Sequence, residues 1–166
     1  MRILLLALLL APAPLWASAS TPGETVSALW KALSHDPGKG TDAALLARLF
    51  HQDAVIFGGR YKDGIPAMER TFAENFLMSQ GKAQPDGFYE CEVSRTIETY
   101  DRFATVYSVV ESRTSKAAAS PDAVGVNSIQ LYKVGAEWKI LSLYYHLERD
   151  DKPIPLDRGI SGKCIA

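Results

Sequence analysis

Between Val124 and Glu148 the chain carries two alternating runs, Val124–Val134 and Glu137–Glu148, separated only by Gly135-Ala136. Successive side chains on a strand point to opposite faces, so this alternation predicts a long β-hairpin. In its second arm strict alternation puts Trp138, Ile140, Ser142, Tyr144 and His146 on one face. Lys139, Leu141, Leu143, Tyr145 and Leu147 fall on the other. Both faces carry bulky apolar groups, so both need a cover. The face holding Asn127, Ser142, Tyr144 and His146 sets polar tips in an apolar frame, which is how small-molecule pockets are lined.

Upstream the pattern changes period. Thr21-Pro22-Gly23-Glu24 has the form of a capping box and opens a helix with Val26, Leu29, Trp30 and Leu33 on one side. Thr41 is placed to cap a second helix bearing Leu45, Leu46, Leu49 and Phe50. Short strands are expected over Ala54–Phe57 and Arg60–Lys62, turned at Gly58-Gly59. A third helix is expected from Ile65, with Pro66 in its first turn and Met68, Phe72 and Phe76 at helical spacing. Phe88–Thr99 and Phe103–Ser115 read as strands, and Tyr89, Cys91, Val93, Arg95 and Ile97 share a face by alternation. Helices first and long strands after give an α+β domain, helices on one face of an antiparallel sheet.

Residues 1–19 stand apart. Arg2, the apolar run Ile3–Leu10 and the small-residue site Ala17-Ser18-Ala19 form a secretory signal peptide with cleavage expected after Ala19. The run is too short to span a bilayer. The expected organisation is a leader (1–19), one domain (20–150) and a Pro-interrupted tail (151–166), in an exported, periplasmic or secreted protein. Without Arg2 the chain holds 17 basic and 19 acidic residues and no basic stripe, which makes nucleic acid and anionic membranes poor partners. Export would let Cys91 and Cys164 form a disulfide between strand and tail; two separate thiols are the alternative.

Leu49-Phe50-His51-Gln52-Asp53-Ala54 after two helices, then a Gly-rich turn and a helix, then Asn127–Leu131 and Trp138–Ser142, resembles the nuclear-transport-factor-2-like (NTF2-like) superfamily. That group includes the SnoaL-like proteins and ketosteroid isomerase, and the resemblance is closest to bacterial SnoaL-like domains. It covers about Pro22 to Glu148. It implies a cone-shaped cystatin-like roll, three helices on a strongly bent antiparallel sheet around a pocket, and a homodimer formed through the sheets. Isomerase chemistry would need a carboxylate base on the first strand and a Tyr on the first helix. Those places fall to Gly58 and Trp30, and glycine takes no proton, which counts against that activity.

The expected pocket set is Trp30, Phe57, Met68, Phe72, Phe76, Arg95, Asn127, Ser142, Tyr144 and His146. Its ligand would be small and apolar or weakly anionic. His146 with Tyr144 is a candidate acid–base pair, with a half-buried sheet-edge histidine as the plainer account. Arg95 either grips an anion or pairs with an inward carboxylate. The His residues lack metal-ligand spacing, so no metal or cofactor is expected. Three functions remain open: ligand binding, an isomerase or lyase built on His146, Tyr144 and Arg95, or a dimeric adaptor using the outer sheet face. Tyr107, Val109, Gln130, Tyr132, Leu141, Leu143 and Tyr145 would form that face, covered by a second subunit or by the tail through Ile154, Pro155, Leu156 and Ile160.

Overall fold

Nine elements follow one another in a computed structural model that describes residues 21–165. They are α1 (Pro22–Leu33), α2 (Ala43–Leu49), β1 (Phe50–Lys62), β2 (Ile65–Phe72), α3 (Ala73–Ser79), β3 (Tyr89–Tyr100), β4 (Phe103–Arg113), β5 (Ala123–Val134) and β6 (Glu137–Leu147). The signal-peptide reading of residues 1–19 lies outside the described residues. The strands form one open sheet in the order β2-β1-β6-β5-β4-β3. The sheet is mixed, not purely antiparallel: β6 returns beside β1 and runs parallel to it. Every other pairing is antiparallel.

The helices start where their caps dictate. Thr21 Oγ1 accepts from the Glu24 amide at 3.2 Å, and Pro22 follows at the first helical position. On α2 the cap is Asp42, not Thr41: its carboxylate accepts from the Leu45 amide at 2.9 Å. Thr41 instead accepts from the Gly81 amide at 3.1 Å and donates to the Gln80 side chain, tying the segment after α3 to the start of α2. Val26, Leu29, Trp30, Leu46 and Leu49 bury the helix faces against Ile56, Val106, Val110, Ile129, Leu131, Ile140 and Leu143 of the sheet.

The segment expected to begin a third helix at Ile65 is β2. Asp63 and Gly64 both have positive φ, 53° and 75°, so they make the two-residue turn that Asp-Gly favours, and Lys62 pairs directly with Ile65. Pro66 is accommodated because β2 is an edge strand and needs no amide there. Helical spacing starts only at Ala73. Gly58-Gly59 does not turn the chain either; β1 runs through it. A Cβ on Gly58 would overlap the Tyr145 hydroxyl, and one on Gly59 would overlap His146 Nδ1, so these glycines make room for large neighbours on β6.

Two bulges decide which residues face the helices. In β6, Ile140 pairs with Leu131 and Ser142 with Gln130, leaving Leu141 as the extra residue. The alternation changes phase there. Trp138 and Ile140 face the core, but beyond Leu141 so do Leu143 and Tyr145. Ser142, Tyr144 and His146 are turned to the outer face, contrary to the strictly alternating expectation. In β3, Glu92 pairs with Val110 and Ser94 with Val109, so Val93 is the extra residue. Cys91 and Val93 therefore turn outward, while Arg95 meets α1 through Gly23 and Ser27, and Ile97 lies against Gly23 as well.

The tail covers that outer corner. Ile154 and Leu156 pack on Cys91, Val93 and Val109. The Ile165 amide donates to Glu92 O at 2.8 Å, and Cys164 is disulfide-bonded to Cys91, their Cα atoms 5.0 Å apart. The bridge closes a loop across a sequence separation of 73. A loop that long restricts the unfolded chain strongly, so Cys91→Ala with Cys164→Ala is expected to cost about 2–4 kcal/mol in a urea denaturation at neutral pH. An unchanged midpoint and slope would show that the tail is held by packing alone.

Candidate ligand site

A cavity of about 660 Å³ opens between the helices and the inner sheet face. Its floor is buried and apolar: Leu29 and Trp30 from α1, Phe50 and Ile56 from β1, Val110 from β4 and Leu143 from β6. Its rim is exposed and polar, formed by Ser79, Gly81, Lys82 and Gln84. Phe76 and Phe88 add aromatic wall from either side of that rim segment.

Polar residues also line the hollow, among them His35, Glu90, Ser112, Asn127 and Tyr145. Trp30 Nε1 is buried with no hydrogen-bond partner, the sole such buried side-chain atom among the described residues. Asn127 is buried at the wall and makes one long bond, Nδ2 donating to Ser108 O at 3.4 Å. The backbone of Glu90 is held by Ser34, whose hydroxyl donates to Trp30 O at 2.8 Å and accepts from the Glu90 amide at 2.9 Å. The backbone bridge between His35 and Phe88 fastens the same junction at 2.7 and 2.9 Å.

Among the described residues the Glu90 carboxyl has no hydrogen bond or salt-bridge partner. Burial alone pushes its pKa up from 4.5 to about 8. The residue is half-buried and lines the cavity. A carboxyl of this kind holds its proton near neutrality, and can donate to an acceptor or give up the proton to a base.

Of the residues expected in a pocket, the structure brings Trp30, Phe76 and Asn127 to this cavity. It does not bring the others. Phe57 pairs with Tyr144 on the outer face, while Met68 and Phe72 lie on β2, 69% and 49% exposed. Ser142, Tyr144 and His146 are displaced by the Leu141 bulge; His146 packs edge-on against Tyr61 at 5.8 Å, away from the cavity. Arg95 faces the helices, but its guanidinium is fully engaged. Nε donates to Glu92 at 2.8 Å, Nη1 to Gly23 O at 3.0 Å, and Nη2 to Ser27 Oγ at 2.8 Å and to the second Glu92 oxygen. The acid–base set His146, Tyr144 and Arg95 is therefore not assembled.

Alternation missed Glu90, Tyr145 and Leu147. The one signal for Glu90 is two acids at period two, Glu90 and Glu92, in an apolar strand: read with the Val93 bulge, they face inward. Tyr145 fills the space that Gly58 leaves on β1, so a hydroxyl stands where the isomerase comparison would have put a carboxylate.

Solved structures share this fold. A protein of unknown function with a cystatin-like fold from Nostoc punctiforme superposes with a TM-score of 0.56 at 13% identity, over 77% of this chain and 89% of that one. An NTF2-like protein of unknown function from Shewanella baltica gives 0.52 at 16% identity, over 77% and 91%. The chain has the NTF2-like fold. A putative ketosteroid isomerase from Parabacteroides distasonis shares this NTF2-like architecture, with a TM-score of 0.54 at 12% identity over 79% and 90% of the two chains. No family model and no curated protein matches the sequence.

Proposed function

We propose that this NTF2-like domain binds a small, largely apolar molecule in the cavity between its helices and sheet, and that it does so after export. The observation that carries this reading is the hollow itself. Its volume of about 660 Å³ lies within the range of small-molecule sites, and its floor is made of apolar and aromatic side chains. The outer face, where Tyr107, Tyr132, Tyr144 and Phe72 stand exposed, supports pairing with a second copy through the sheets.

The test is titration with the neutral apolar fluorophore N-phenyl-1-naphthylamine. One bound probe per chain with enhanced, blue-shifted emission is expected. Gly125 lines the cavity, and a Cβ there meets its nearest neighbour at an ordinary 3.5 Å, so Gly125→Phe should fill the hollow without disturbing the strand. It should weaken probe binding about tenfold or more. Equal binding to the wild type and the filled variant would place the probe elsewhere and remove the support for this function.

A further inference from the structure

Among the described residues the two most deeply buried carboxylates each have a cation beside them. Glu92 is paired with Arg95, and Glu111 with Arg113 at 2.8 Å. Buried charges in proteins are paired because an isolated one is very costly to desolvate. Glu90 breaks the pattern: its carboxyl lines the cavity with no hydrogen bond and no cation against it among the described residues.

The groups that could have served are close in the fold but differently disposed. Lys82 lies on the exposed rim. His35 also lines the cavity, its Nδ1 3.3 Å from Asp36 O. Tyr145, across the hollow on β6, offers a hydroxyl and not a cation. Arg95 and Arg113 are engaged with Glu92 and Glu111. The wall around Glu90 is aromatic, with Trp30, Phe50, Phe76 and Phe88, and aromatic faces attract cations through their quadrupoles.

We infer that the ligand of this cavity is an apolar amine, whose ammonium group supplies the counter-charge that Glu90 lacks while its hydrocarbon body fills the aromatic floor. This rests on the ligand-binding function proposed above and narrows it to one chemical class. A single carboxylate facing an aromatic cavity discriminates by charge: an alcohol of the same length finds the same walls without the ion pair, and a carboxylate meets a like charge. Binding also couples to protonation. Glu90 must ionise to pair with the amine, so amine affinity should rise about tenfold per pH unit up to about pH 8 and then level off.

The experiment compares decylamine, decanol and decanoate, each below its micelle concentration, by calorimetry on the full chain and on Glu90→Gln. Decylamine is expected to bind the wild type about tenfold or more tightly than decanol, with decanoate weakest. In Glu90→Gln the amine advantage over decanol and its pH dependence should vanish. Equal affinities for decylamine and decanol in the wild type, with Glu90→Gln unchanged, would overturn the amine inference and leave the cavity a neutral ligand site. A preference for decanol or decanoate that depends on Glu90 would overturn it as well, showing the carboxyl to act as a neutral donor. Binding of none of the three, by a chain that also fails to bind N-phenyl-1-naphthylamine, would instead remove the binding function itself.

Discussion

Arg95→Met is expected to lower the stability of this domain by about 3–5 kcal/mol, the largest loss foreseen for a single side chain outside the cavity. The reason is the residue it leaves behind. Glu92 is 2% exposed and receives Arg95 through two nitrogens as well as the Ser108 hydroxyl at 2.6 Å. Without the guanidinium a carboxylate stays buried beside α1 with one hydroxyl for company. Arg95 also donates to Gly23 O and Ser27 Oγ, so its loss loosens the docking of α1 on β3. Glu92→Leu combined with Arg95→Met should recover most of the deficit, because an apolar pair of similar volume carries no desolvation cost. Chemical denaturation of the two variants checks this. A cost below about 1 kcal/mol for Arg95→Met would mean that Glu92 is hydrated in solution.

Glu90→Gln is expected to act in the opposite direction, stabilising the protein, and to do so only at higher pH. The unfolded chain releases this proton near 4.5 and the folded protein near 8. Between those values the folded state holds a proton that the unfolded state has lost, so wild-type stability falls as pH rises through that window. At 1.36 kcal/mol per pH unit the full penalty above pH 8 is about 5 kcal/mol, an upper bound because water entering the cavity relieves part of it. Glutamine does not titrate. The two proteins should therefore be nearly equal in stability at pH 4 and diverge steadily toward pH 8, the variant being the more stable. Parallel profiles across that range would show that Glu90 is ordinarily solvated.

The long elements were legible because alternation and capping are local. The four strands from Tyr89 to Leu147 and the turn at Gly135 fall where period two and a positive-φ glycine put them, and α1 starts at its Thr21 cap. The edge hairpin was legible in principle: Asp63-Gly64 is a turn signal, but Asp before an apolar run also resembles a helix start, and only the pairing of β2 with β1 decides between them. The cavity lining was not legible, for a physical reason that Leu141 and Val93 share. A bulge adds one residue against a partner strand, so its position depends on register across the sheet and not on either strand's own pattern. One such residue in β6 exchanged Ser142, Tyr144 and His146 for Leu143, Tyr145 and Leu147; one in β3 exchanged Cys91 and Val93 for Glu90 and Glu92. The outward turn of Cys91 is also what brings it to Cys164, since the tail packs on that side of the sheet.

The assignment of Glu90 as an unpaired carboxyl inside a ligand-sized hollow is tested most directly by following its side-chain carboxyl carbon by NMR through a pH titration of the ligand-free protein. The predicted midpoint lies near 8, and addition of decylamine should move it down. A midpoint close to 4.5, unmoved by the amine, would mean that Glu90 is open to bulk water or paired within the protein, and would contradict the account of this cavity.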